Sequence, residues 1–214
     1  LGLLGPRLTL GHGVWLTTRD VERAAERGVM ICTNPSSNLR LRSGIAPVNR
    51  FLEAGIRVGL GLDEAGINDD RDMLQEMRMV LRAHRVRGMD DQMPTPAQVF
   101  RMATSGGAKT TPYADTIGAL EVARAADIVL IDWRDISYPY LDPETPLLDA
   151  VLQRAKTSGG RTVICDGEVI YDISFSPPIQ IFQAMIEQQR PSESWTISIF
   201  DGEGTNFARV PNPQ

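Results

Sequence analysis

Polar residues able to hold a cation or move a proton stand at the ends of three short apolar runs. The first run ends at His12, within Leu-Gly-His-Gly-Val. The second leads into Thr33-Asn34-Pro35-Ser36-Ser37-Asn38. The third ends at Asp63, followed directly by Glu64. An imidazole can shuttle a proton or polarise a bond near neutral pH, and a carboxylate can bind a metal or take a proton from water. His12 and Thr33 are 21 residues apart, and Thr33 and Asp63 are 30 apart. That is near the ~30 residues per unit of an eight-fold α/β barrel, whose active site forms at the C-terminal ends of its strands. Each residue also has a plainer reading. A histidine at a strand end is often a hydrogen-bonded structural residue, an aspartate before a helix is often a cap, and Asn-Pro-Ser-Ser-Asn is a generic turn sequence. His84, flanked by Arg82, Arg85 and Arg87, reads as solvated.

The elements that must position these residues alternate. Leu8 to Val14, Val29 to Cys32 and Ile56 to Leu62 read as short buried strands. Between them, Thr17 to Asp20 offers an N-cap for a helix over Val21 to Arg27, and Pro47 to Ala54 reads as a second helix closed by Gly55. Buried strands alternating with helices predict a parallel sheet covered by helices. A long amphipathic helix is predicted over Asp69 to Arg87, with Met73, Met77, Val80 and Leu81 on one face, and another over Pro96 to Gly106. The texture changes near Gly118. Ala126 to Asp132 reads as a strand and Pro146 to Lys156 as a helix. Arg161 to Cys165 and Glu168 to Tyr171 flank Asp166-Gly167, a hairpin turn signal. Ile179 to Arg190 reads as helical, Trp195 to Phe200 as a strand, and Val210 to Gln214 as a loose end.

Composition narrows the classes. Lys and Arg total 22 against 27 Asp and Glu, a net charge of −5 among 214 residues, which argues against a nucleic-acid surface. No apolar run approaches the ~20 residues of a membrane span, so no membrane partner is expected. Cys32 and Cys165 lie far apart in apolar runs and read as two buried free thiols. Two cysteines suit a reducing, cytoplasmic setting. No phosphate loop of the Gly-x-x-x-x-Gly-Lys type is present, which ranks an anion-binding open sheet around Asn34 to Asn38 last.

Four ordered motifs resemble one family. They are His12-Gly-Val-Trp-Leu-Thr, Asn34-Pro-Ser-Ser-Asn-Leu, Gly44-Ile-Ala-Pro-Val, and Gly59-Leu-Gly-Leu-Asp63 followed by Asn68 and Met73-Leu-Gln-Glu-Met-Arg78. Together they are similar to the amidohydrolase superfamily, in the group of cytosine deaminases, S-adenosylhomocysteine deaminases and triazine chlorohydrolases. Ala103-Thr-Ser-Gly-Gly-Ala108, Gly118-Ala-Leu-Glu121 and Ala125 to Asp132 resemble the same group's passage from barrel to β-sandwich. The resemblance covers roughly residues 8 to 171. It implies an α/β fold: the C-terminal part of a (β/α)8 TIM-type metal-dependent hydrolase barrel, about strands six to eight, over residues 1–110. Strands of a composite β-sandwich and a tail follow over 111–214.

The resemblance also implies a divalent metal, usually zinc. Asp63 falls at the strand-eight aspartate, which binds the metal and accepts a proton from the attacking water. His12 falls at the strand-six histidine, which contacts substrate or that water and is the second candidate metal ligand. Trp15, Asn34, Asn38 and Glu64 are the candidate substrate contacts. The implied substrate is a small nitrogen heterocycle, hydrolysed at a C–N or C–Cl bond, with deamination first. Departures are equally plain. The strand-one His-x-His and the strand-five histidine are absent, since His12 and His84 are the only histidines. Leu62-Asp63-Glu64 stands where Thr-Asp-Gly is common, and Trp15 stands where several relatives carry a second histidine. The cytidine-deaminase zinc pattern is absent. A catalytic zinc needs about three protein ligands, so the expectation is that an N-terminal barrel portion supplies the rest; a homo-oligomer is also allowed. The alternative expectation is a non-catalytic fragment or a barrel segment that needs a partner chain.

Overall fold

Three parallel strands in sequence order, β1 (Thr9–Gly11), β2 (Met30–Thr33) and β3 (Val58–Leu60), carry the histidine, the amide loop and the aspartate at their C-terminal ends. The computed structural model describes residues 2–64, 67, 71–84, 93–157, 160–172, 197–200 and 206–210. Two compact units are seen, Leu1–Asp172 and Ile173–Gln214. Between β1 and β2 runs α1 (Thr18–Glu26), opened by a capping box in which Thr17 and Asp20 satisfy each other's backbone N–H. Between β2 and β3 run α2 (Pro35–Arg40) and α3 (Val48–Glu53). The parallel pairing expected from the alternation is present.

Register divides the sheet into two faces. Leu10, Ile31 and Val58 stand side by side and join one apolar core with Val21 and Ala24 of α1 and Val48 and Phe51 of α3. The same core takes Met77, Val80 and Leu81 of α4 (Met73–Ala83), Val99 and Met102 of α5 (Pro96–Ala103), and Leu152 of a later helix. The opposite face carries Gly11, Cys32 and Gly59 in one row. Thr110, just beyond α6 (Ser105–Ala108), lies against this face. Its carbonyl accepts from Thr9 Oγ1 at 2.8 Å, and a Cβ on Gly59 would stand 2.9 Å from its hydroxyl.

Beyond the core, β4 (Ile128–Ile131) leads to α7 (Trp133–Ser137) and α8 (Leu147–Arg154). It then pairs with the hairpin of β5 (Gly160–Cys165) and β6 (Glu168–Asp172) in an antiparallel sheet. In the second unit β7 (Ile197–Phe200) pairs with β8 (Asn206–Val210). Three expectations are corrected here. Asn34 to Asn38 is not a plain turn, because Pro35 opens α2 from the first helical position, where its missing N–H costs nothing. Cys165 is exposed, because it ends β5 at the hairpin turn, while Cys32 is half-buried. Val210 is the last residue of β8, not part of a loose end. The helix expected over Ile179 to Arg190 lies outside the described residues. Among the described residues no helix is long and apolar enough to cross a membrane.

Asp72 and Arg78 lock α4 in place. Asp72 Oδ1 caps α4, accepting from Leu74 N at 2.9 Å and Gln75 N at 3.2 Å. Its Oδ2 meets Arg78 Nη2 at 3.3 Å, and Arg78 Nη1 donates to Ala155 O at 2.7 Å at the end of α8. Both side chains are largely buried. Arg78→Met is expected to destabilise the protein by about 1–3 kcal/mol, because it takes a guanidinium from a largely buried carboxylate and a donor from the end of α8. Urea unfolding of the variant against the unsubstituted protein measures this.

Candidate functional site

The three strand ends converge. His12 follows β1 directly and Asp63 follows β3 by three residues. Both adopt a left-handed backbone with φ of 65°, a region that residues other than glycine seldom enter, with asparagine, aspartate and histidine the commonest of those that do. Such strain persists only where surrounding structure enforces it, and it concentrates at working sites. For His12 part of the enforcement is its backbone N–H, which donates to Cys32 O at 2.7 Å.

α2 holds both side chains. Asn38, 2% exposed, presents Oδ1 to His12 Nδ1 at 2.8 Å. An amide oxygen only accepts, so the ring carries its proton on Nδ1. Asn34 turns its Nδ2 to Thr33 O and Gly61 O, each 3.3 Å away, an orientation assigned from the surrounding donors and acceptors. Its side-chain oxygen then faces the same ring nitrogen at 3.4 Å. Ser37, fully buried, donates from Oγ to Asp63 Oδ2 at 2.5 Å. His12 Nε2 is left facing Asp63 Oδ2 at 3.6 Å. That is longer than a hydrogen bond, and in a neutral ring with its proton on Nδ1 both atoms would be acceptors. A proton or a cation between them relieves the repulsion.

Nearby groups complete the picture. Burial first, and the Asp63 charge second, push the Cys32 thiol above its ordinary range, so it is held as a neutral thiol. Trp15 is 84% exposed, and Glu64 is exposed beside Asp63. His84 is not solvated. It ends α4 half-buried, with Nδ1 2.9 Å from Val80 O and Nε2 within 3.0 Å of Ala46 O and 3.3 Å of Val48 N. Its ring joins α4 to the start of α3, because the amphipathic face that buries Val80 carries it inward. Ser37 and Glu76 are the functional candidates that sequence reading did not single out.

A Cβ on Gly61 would collide with the Asn34 amide and press on Cys32 Sγ. Gly61→Ala is therefore expected to displace Asn34 from beside His12. A shift of the His12 imidazole nitrogen NMR signal, with a thermal melt to confirm folding, measures it.

The sequence profile described as the amidohydrolase family matches residues 1–170. The chain belongs to the amidohydrolase family. It is 35% identical over 170 residues to a 5-methylthioadenosine/S-adenosylhomocysteine deaminase of Thermococcus kodakarensis, covering 79% of this chain and 39% of that protein. It is 36% identical over 170 residues to a 5'-deoxyadenosine deaminase of Methanopyrus kandleri, covering 79% and 38%. It superposes on an adenosine deaminase of Xanthomonas campestris with bound zinc at a TM-score of 0.73 and 28% identity, covering 87% of this chain and 42% of that one. For an atrazine chlorohydrolase of Arthrobacter aurescens complexed with zinc, the values are 0.70, 26%, 87% and 41%. The resemblance carried by the four motifs thus holds, and amidohydrolase membership implies a TIM-barrel-type fold. The chain spans about two fifths of the length of these relatives.

The donor set can be tested against the zinc those two structures hold. An imidazole nitrogen and a carboxylate oxygen are ordinary zinc ligands. Two ligand atoms on one tetrahedral zinc at ~2.1 Å stand about 3.4 Å apart. His12 Nε2 and Asp63 Oδ2, at 3.6 Å, match that separation. Among the described residues no group of three His, Cys, Asp or Glu side chains that could hold a metal ion is present.

Proposed function

We propose that the chain forms the strand-six to strand-eight part of a (β/α)8 barrel in a metal-dependent amidohydrolase, over residues 1–110, with residues 111–214 contributing to a composite sandwich. The reaction is hydrolysis of a C–N bond on a nitrogen heterocycle, deamination first and C–Cl cleavage second. One observation carries this reading. His12 Nε2 and Asp63 Oδ2 are held facing each other by buried partners on a single helix, at the separation of two ligands on one ion.

His12 and Asp63 would hold a divalent metal, zinc first, with the remaining ligands coming from the rest of the barrel. When bound, such an ion acidifies water toward neutral pH and so supplies hydroxide for attack. Asp63 takes the proton of the attacking water on Oδ1, the oxygen that Ser37 leaves unclaimed, and returns it to the leaving amine. His12 orients from Nε2 because Asn38 occupies Nδ1. Asn34 and Asn38, first read as substrate contacts, serve here by fixing the imidazole. Trp15 offers an indole face to a flat heterocycle, and Glu64 offers a carboxylate to its amino hydrogens. The setting is the cytoplasm.

The test is ammonia release by the intact enzyme from adenine nucleosides, and chloride release from a chlorotriazine, before and after chelation. Turnover lost on chelation and restored by zinc supports the reading; turnover indifferent to chelation overturns it. The incomplete donor set favours a second reading, a barrel segment inert by itself. Metal analysis of the purified 214-residue chain separates the two, since stoichiometric zinc without any partner contradicts inertness.

A further inference from the structure

Glu76 lies in the middle of α4, 0% exposed, and the chemistry above makes no use of it. Its Oε2 accepts the backbone N–H of Ser36 at 3.0 Å. Ser36 belongs to the first turn of α2, a helix whose own N-cap residue, Asn34, makes no side-chain capping bond. The cap therefore comes from another helix. A six-residue helix does not hold its place by its own propensity; tertiary contacts must set it. The next two residues after Ser36 are Ser37 and Asn38, which bond to Asp63 and His12. α4 itself is anchored at its start by Asp72 with Arg78, and at its end by His84.

We infer that Glu76 is a positioning residue: through Ser36 it sets α2 so that Ser37 and Asn38 hold Asp63 and His12 in facing register. The inference rests on the reading of His12 and Asp63 as the reacting pair. The bond from Ser36 requires an acceptor oxygen at that reach. A displacement of about 1 Å at such a bracket can cost on the order of 100-fold in rate, and partners one step behind a metal ligand commonly cost 10–100-fold when removed.

The experiment compares Glu76→Gln, Glu76→Asp and Glu76→Ala in the intact enzyme. Gln keeps the reach and an acceptor oxygen but no charge. Asp keeps the charge and loses the reach. Two readouts are taken: kcat and KM separately, and the imidazole nitrogen NMR signal of His12 in metal-free protein, assigned by its loss in His12→Ala. The expected result is that Gln keeps kcat within about 3-fold and keeps the Nδ1–H signature. Asp and Ala are expected to lower kcat by about 10–100-fold with little change in KM, and to blur that signature. If Ala does not fold, Gln and Asp decide. Gln as damaging as Asp, Gln unable to fold, or Asp as active as the unsubstituted enzyme overturns the inference. Absence of turnover in the unsubstituted enzyme instead strikes at the hydrolase reading, and the imidazole signal still decides the role of Glu76.

Discussion

Asp63→Asn is expected to lower kcat of the intact enzyme by about 10³-fold or more while leaving the fold unchanged. The size follows from two losses at one atom group. An amide cannot take the proton of an attacking water, and a positioned general base alone contributes about 10²–10⁴-fold. An amide is also a weaker partner for a divalent cation than a carboxylate, so bound metal falls as well. Retention of the fold follows from the backbone. Asp63 has a φ of 65°, and asparagine tolerates that left-handed region as well as aspartate does. The Ser37 hydroxyl can still donate to the amide oxygen in place of Oδ2. The variant should therefore melt within a few degrees of the unsubstituted protein yet be nearly inactive and metal-poor. Turnover, metal content and a thermal melt measured on one preparation decide it, and an active Asp63→Asn removes Asp63 from the chemistry.

The parts of this site that a sequence reveals are those whose signal is local. β1, β2 and β3 announce themselves because mainly apolar runs of four to seven residues between turn signals have few alternatives. The polar residue that ends each run is then visible by contrast, which is how His12 and Asp63 emerge. α2 is hidden because its determinants are distant. Asn-Pro-Ser-Ser-Asn reads as a turn, and the carboxylate that caps the helix sits forty positions later, on α4. Glu76 and His84 are hidden for a related reason. A glutamate or histidine within an Arg-rich helix reads as surface by its type, although the helix that buries Met77, Val80 and Leu81 carries both inward. Ser37 is invisible as a partner of Asp63 because the contact spans 26 residues and has no pattern of its own. Trp15 and Glu64 are legible as aromatic or charged groups near the strand ends, and both are exposed in the fold.

The second large effect separates strain from chemistry at His12. His12→Ala and His12→Gly both remove the imidazole, so both are expected to lower kcat by about 10²–10⁴-fold if the ring acts on the reacting atoms. Both leave Asn38 Oδ1 without its Nδ1–H donor, so that cost is common to the pair. They differ in the backbone. At a φ of 65° an alanine Cβ is crowded by its own carbonyl, at about 1 kcal/mol or more, and glycine has no such penalty. Glycine gives back part of this advantage through its freer unfolded chain. The net expectation is that the Gly variant unfolds with up to about 1 kcal/mol more stability than the Ala variant, although the two are equally inactive. Equal stability in denaturant would show that the backbone relaxes out of the left-handed region once the ring is gone, so that the side chain's own contacts hold the strain. Substantial turnover in both variants would remove the imidazole from the reaction. In that case Asp63 would have to meet its cation without the nitrogen that faces it at 3.6 Å.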